Sequence, residues 1–134
     1  MKLLLDTHIL LWALSDDPAL PATARKMIIN PENEIYYSII SPWEVEIKHL
    51  SHPEQMSIDA EKLTIYCREA GFFRLPVYEQ HIMNLQKLQR PENAPVHKDP
   101  FDRIMICQAM EESMLFVTHD KLLGDYHEPC IYMV

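Results

Sequence analysis

The chain opens on Lys2-Leu3-Leu4-Leu5 and closes that run with Asp6. An unbroken apolar run of this length suits a strand buried on both faces, the kind found in the middle of a parallel sheet. Such a strand needs helices above and below it, so the rest of the chain must supply them. A helix is predicted from Ile9 to Leu14, capped by Thr7 and ended by Ser15-Asp16-Asp17-Pro18. A second is predicted over Pro21–Ile29, with proline in its first turn. Ile35–Ile40 is β-branched and aromatic, hence a strand, and Ser41-Pro42-Trp43-Glu44 opens a helix to about Leu50. Ser57–Ala70 reads as helix stopped by Gly71, Phe72–Leu75 as a short strand and Tyr78–Leu88 as helix. The loop Arg90–Lys98 leads into the longest helix, Asp99–Met114. Leu115–Thr118 is a strand, Asp120–Asp125 a short helix and Cys130–Met133 a last strand. This alternation predicts an α/β sandwich around a mostly parallel sheet, and 134 residues fit one domain, 1–134.

Composition removes several function classes. Gly71 and Gly124 are the only glycines, so no Gly-rich phosphate loop exists. The apolar runs are too short to span a bilayer or to form a secretory signal core, which predicts no membrane association. Cys67, Cys107 and Cys130 are widely spaced and form no C-x-x-C, so a reducing cytoplasm is the expected compartment. The seven histidines show neither H-x-x-x-H nor H-E-x-x-H spacing, and no G-x-S-x-G is present. The net charge is −8, which by itself repels nucleic acid.

The acids are distributed to a pattern. In open parallel sheets ligands bind beyond the carboxyl ends of the strands. Asp6 directly follows the first strand, Glu44 lies a helical turn beyond the second, and Asp120 follows Leu115–Thr118 by two residues. Asp99 and Asp102 begin the long helix. That helix runs antiparallel to the strand after it, so its start could fall at the opposite edge; the loop Arg90–Lys98 must then carry the pair to the site. Each acid also has a purely local role to weigh. Ser41-x-x-Glu44 has the form of a capping box, Asp99-Pro100 that of an N-cap, and Asp102 complements a helix dipole. Asp120 is placed to cap the short helix after it. Asp6 is harder to explain this way, because a carboxylate at the end of a leucine strand is costly unless paired or coordinated. Clustered carboxylates repel one another and suit a hard divalent cation such as Mg2+ or Mn2+. His97 and His119 flank the acids and are candidates for substrate contact.

Four segments carry a family resemblance. Leu3-Leu4-Leu5-Asp6-Thr7-His8-Ile9-Leu10-Leu11-Trp12 resembles the opening of a PIN domain, and Ser38–Lys48 resembles the segment around the family's second acid. Asp99-Pro100-Phe101-Asp102-Arg103 is similar to the helix start of one PIN subgroup, and Leu115–Asp120 resembles the strand with the last acid. Their order and spacing resemble those of VapC toxins of bacterial type II toxin–antitoxin pairs. The resemblance implies a three-layer α/β/α sandwich with a five-stranded, mostly parallel sheet. It implies a Mg2+- or Mn2+-dependent endoribonuclease with Asp6, Glu44, Asp102 and Asp120 as catalytic and metal-binding acids and Asp99 assisting. Thr7 and Thr118 sit where the family often places a hydroxyl near the acids. The family's usual Gly-Lys-Leu stretch is replaced by Leu50-Ser51-His52-Pro53-Glu54. Trp12 and Trp43 are expected in the core.

The implied mechanism is in-line attack of a metal-activated water on an RNA phosphodiester. A homodimer and a cognate antitoxin are implied as partners, the antitoxin tail blocking the acidic pocket with an Arg or Lys. Two alternatives differ in class. A catalytically silent PIN-like binding protein is disfavoured by intact acids at all four positions. A phospho-acceptor signalling module needs an acceptor Asp after the third strand, where Leu75-Pro76-Val77 stands instead. On the nuclease reading the charge of −8 predicts strict metal dependence and weak RNA binding without metal.

Overall fold

The computed structural model describes residues 1–134. Five strands form one parallel sheet: β1 (Lys2–Leu5), β2 (Glu34–Ser38), β3 (Phe73–Leu75), β4 (Leu115–Thr118) and β5 (Ile131–Met133). The strand order is β3-β2-β1-β4-β5. Six α-helices connect them: α1 (Thr7–Leu14), α2 (Ala22–Ile29), α3 (Ile40–Ser51), α4 (Ala60–Glu69), α5 (Glu79–Met83) and α6 (Pro100–Glu112). Two 3₁₀ turns, Asn84–Lys87 and Lys121–Asp125, complete the set. The fold is the three-layer α/β/α sandwich expected of this sequence.

The leucine run works as a doubly buried strand. Leu3 and Leu5 join a core with Ile9, Leu10, Ala24, Val45 and Leu63 on one face of the sheet. Leu4 points the other way, to Ile104, Met105, Phe116 and Leu123. This is the period-2 alternation of a strand with helices on both sides. β1 pairs with β2 on one flank and β4 on the other, so chain direction across the sheet reverses at β1. Beyond the carboxyl ends of β1 and β4 lies the crevice where such sheets bind ligands. The edge strands β3 and β5 have three residues each, and short edges resist pairing with other chains.

Several element ends differ from the sequence reading. Thr7 is the first residue of α1 and Asp6 is its N-cap, accepting from the Thr7 N–H. α3 starts at Ile40, where the Ser38 hydroxyl accepts from the Ile40 N–H, so β2 stops two residues early. α4 starts only at Ala60, because the Asp59 side chain caps it by accepting from Lys62 N. The predicted Tyr78–Leu88 helix divides into α5 and a 3₁₀ turn. α6 ends at Glu112, since Ser113 takes the left-handed conformation at φ 56°. No helix is long and apolar enough to cross a membrane.

Candidate active site

A cleft of about 280 Å³ opens at the carboxyl edge of the sheet. It is lined by Asp6, Thr7, His8, Trp12, Glu44, Asp99, Asp102, His119 and Asp120. All five acids singled out in the sequence therefore meet there, and no Lys or Arg is among the lining residues.

Asp6 and Asp120 arrive directly from the ends of β1 and β4. Both oxygens of Asp6 are held: Oδ1 accepts from Thr7 N at 2.7 Å and Oδ2 from Thr118 Oγ1 at 2.7 Å. The Thr118 hydroxyl in turn accepts from Asp120 N at 3.1 Å. Asp120 caps the turn after β4 by accepting from Leu122 N, and it also faces the cleft.

Glu44 arrives on α3, and the predicted capping box is not formed. α3 begins at Ile40, which leaves the Ser41 and Glu44 side chains free of the helix start. Thr7 Oγ1 donates to Glu44 Oε1 at 2.8 Å. Ser41 Oγ lies 2.8 Å from the same Thr7 hydroxyl. Since Thr7 has one hydroxyl proton and gives it to Glu44, Ser41 is the donor in that contact. A Ser41–Thr7–Glu44 chain thus orients the carboxylate from α1.

The start of α6 lies at the carboxyl edge, not the opposite one. A helix that runs antiparallel to the strand it feeds ends at that strand's amino end, so its own start lies beyond the carboxyl ends. The loop Arg90–Lys98 is not needed to carry the acids there. Asp99 is the N-cap expected of it, accepting from Phe101 N at 2.9 Å and Asp102 N at 3.4 Å, and it lines the cleft as well. Asp102, one turn in, is buried.

The electrostatics follow from this crowding. Burial, with repulsion from Asp6 and Asp99, pushes the Asp102 carboxyl up to about 8. Burial raises Glu44 to about 7, against the Thr7 hydrogen bond, and Asp6 and Asp99 add to the rise. Asp6 is also raised by burial, although Thr118 and Thr7 oppose it. Such a set of oxygen donors, short of counter-charge, fits a hard divalent cation.

His97, outside the cleft lining, reaches the same acids. Its Nε2 lies 3.2 Å from Asp102 Oδ2, and potential ligand atoms of His97, Asp102 and Asp120 lie within 4.8 Å of one another. Its Nδ1 is 2.7 Å from the Tyr126 hydroxyl. Sequence reasoning placed His97 beside the acids but did not single out Tyr126, whose hydroxyl meets both His97 and Arg103. Trp43 is not in the core. It is 56% exposed and meets Phe101 edge-to-face at 4.9 Å between centroids. Trp12 is half-buried at the rim of the cleft, between His8 and His119.

The fold is thus a parallel α/β/α sandwich with an acidic cleft at the point where its strand order reverses. The PIN-domain family model matches residues 3–128, and the chain belongs to that family. Among solved structures it is similar to VapBC2 from Rickettsia felis, bound to a DNA fragment from the promoter. That match has a TM-score of 0.68 and 18% identity, and it covers 100% of this chain and 98% of the other. It is also similar to VapBC-1 from nontypeable Haemophilus influenzae, at a TM-score of 0.58 and 17% identity over 93% and 94% of the two chains. No curated protein matches the chain by sequence.

Proposed function

We propose that this chain is a Mg2+- or Mn2+-dependent endoribonuclease of the VapC type, the toxin of a toxin–antitoxin pair. The observation that carries the reading is the convergence of Asp6, Glu44, Asp102 and Asp120, from four separate elements, on one cleft with no Lys or Arg among its lining. Membership of the PIN family, whose members are typically nucleases, supports it. So does the likeness of the fold to chains of two VapBC structures.

Asp6, Glu44, Asp102 and Asp120 are the residues that would hold the ion, with Asp99 beside them. A divalent ion of this class, when bound, polarises a phosphoryl oxygen and makes water a competent nucleophile near neutral pH. Thr7 and Thr118 serve as orienting donors, each giving its hydroxyl proton to one of the acids. On this reading the attacking group is water, which a bound ion would activate. What the protein contributes is fixed orientation: Asp6 is held at both oxygens and Glu44 at one.

The same reading gives the chain a cognate antitoxin that places a basic side chain against the acids, and a second copy of itself as a homodimer. The test is direct. Purified chain, freed of any partner, is incubated with total RNA and Mg2+ or Mn2+. Cleavage that stops on adding chelator is expected, together with growth arrest when the chain is expressed alone. Intact RNA under every metal condition would sink the reading.

A further inference from the structure

We propose that His97 is a positioning residue for the Asp102 carboxylate, held in place by a clamp of Tyr126, Arg103 and Arg90; this rests on the metal-dependent reading above. The His97 side chain is only 4% exposed, although the loop around it, Val96 and Lys98 included, is exposed. A side chain buried out of an exposed loop needs a reason, and both ring nitrogens supply one.

The proton arrangement follows from the donors present. Arg103 Nη1 lies 3.2 Å from the Tyr126 hydroxyl and can only donate to it. The hydroxyl is then free to donate to His97 Nδ1, 2.7 Å away. That leaves the imidazole proton on Nε2, where it meets Asp102 Oδ2 at 3.2 Å. In this arrangement the ring aims its Nε2–H at the Asp102 carboxyl. The clamp is built from several elements. Tyr126 is buried, and the Arg90 guanidinium lies 4.8 Å from its ring centroid. Arg90 also donates to the carbonyls of Leu122 and Pro95, tying the loop before α6 to the turn after β4. Arg103 sits one residue after Asp102 on α6, so the same helix turn supplies both ends of the relay.

With Oδ2 engaged by His97, the orientation of the Asp102 carboxylate is set before any ion arrives. Loss of such outer contacts typically costs about 10- to 100-fold in metal affinity. A nitrogen already bonded to Asp102 is not free to be a ligand, and a hard cation prefers oxygen.

The test is Mn2+ binding by the intact chain, read by calorimetry and by electron paramagnetic resonance, with thermal unfolding in chelator as a control on folding. His97→Ala is expected to weaken Mn2+ binding about 10- to 100-fold. His97→Gln, which restores an N–H at similar reach, recovers most of that loss. Tyr126→Phe keeps the ring but removes the hydroxyl. It is expected to weaken Mn2+ binding by less, and to add nothing once His97 is alanine. Bound Mn2+ should show no coupling to a histidine nitrogen. Unchanged Mn2+ affinity in folded His97→Ala or in Tyr126→Phe overturns the proposal. So does a nitrogen coupling in the wild type that disappears in His97→Ala, which makes His97 a ligand. Failure of the wild type to bind Mn2+ at all overturns the metal-dependent reading and this proposal with it, so the two failures are told apart by the first titration.

Discussion

Thr118 Oγ1 donates to Asp6 Oδ2 across 2.7 Å, between residues 112 positions apart in the chain. The contact exists because β4 pairs in parallel with β1, with Val117 opposite Leu5, so both strands end at the same height. Sheet register, more than any local motif, assembles this site.

Thr118→Val keeps the shape of the side chain and removes both hydrogen bonds. Asp6 loses one orienting donor and Asp120 N loses its acceptor. RNA cleavage with Mn2+ should fall about 10- to 100-fold, as for other orienting contacts around metal ligands. Stability should fall by about 1–3 kcal/mol, from a buried group left unpaired. Initial cleavage rates and a urea titration check the two effects, and undiminished cleavage rules out an orienting role.

Asp6→Asn is nearly isosteric and removes a buried negative charge that burial disfavours. Cleavage should be lost while the variant still folds cooperatively in chelator, since the relief of the buried charge offsets the one acceptor that the Asn amide gives up. Wild-type cleavage by this variant contradicts the role assigned to Asp6.

Stability without metal should fall as pH rises. Asp102 is raised from 3.8 to about 8 and Glu44 from 4.5 to about 7. A carboxyl with a raised folded pKa binds its proton more tightly when folded. Its contribution is complete below the unfolded pKa and is lost as pH climbs through the folded one. The Tm in chelator should therefore drop between about pH 5 and about pH 8, and less steeply in Asp102→Asn. Mn2+ should raise Tm more at the higher pH, where protons no longer compete for the carboxylates. A metal-free Tm that is flat or rising over that range contradicts the crowded-acid account.

Gln108→Leu tests the junction of α6 with β2 and β3. Gln108 is fully buried; it accepts from the Ser38 hydroxyl and donates to the carbonyls of Leu75 and Pro76, joining α6 to the ends of β2 and β3. Leucine leaves those carbonyls without this donor, at a cost of about 1–3 kcal/mol. Equilibrium denaturation reads the loss directly, and a variant as stable as wild type shows the network to be dispensable.

RNA affinity should depend on metal. At a net charge of −8 and with no Lys or Arg lining the cleft, metal-free chain should bind RNA weakly, and Mn2+ should strengthen binding. Fluorescence anisotropy with a labelled RNA, in chelator and then in Mn2+, separates the cases. Tight binding in chelator contradicts the metal-bridged account.

Much of the fold was legible because its signals are local. The Leu3–Leu5 run marks a doubly buried strand, Asp99 marks a helix start, and Gly71 lies just beyond the end of α4. Where local signals competed, the reading slipped. Ser41 and Glu44 have the spacing of a capping box, but Ser38 supplies the acceptor at that helix start and frees both side chains for Thr7. Trp43 looks like a core residue by type, yet lies on the exposed side of α3.

Residue order alone set the alternation of strands and helices, the acids and their positions relative to strand ends, and the absence of any glycine loop or cysteine pair for other chemistry. These depend on residue type and spacing over a few positions. That α6 begins at the carboxyl edge follows already from its running antiparallel to the strand it feeds. The folded chain was needed to bring Thr7 onto Glu44 and to wedge His97 between Tyr126 and Asp102. Those contacts join residues brought together by strand register and helix direction, and the energy of such pairs exists only once the sheet has formed.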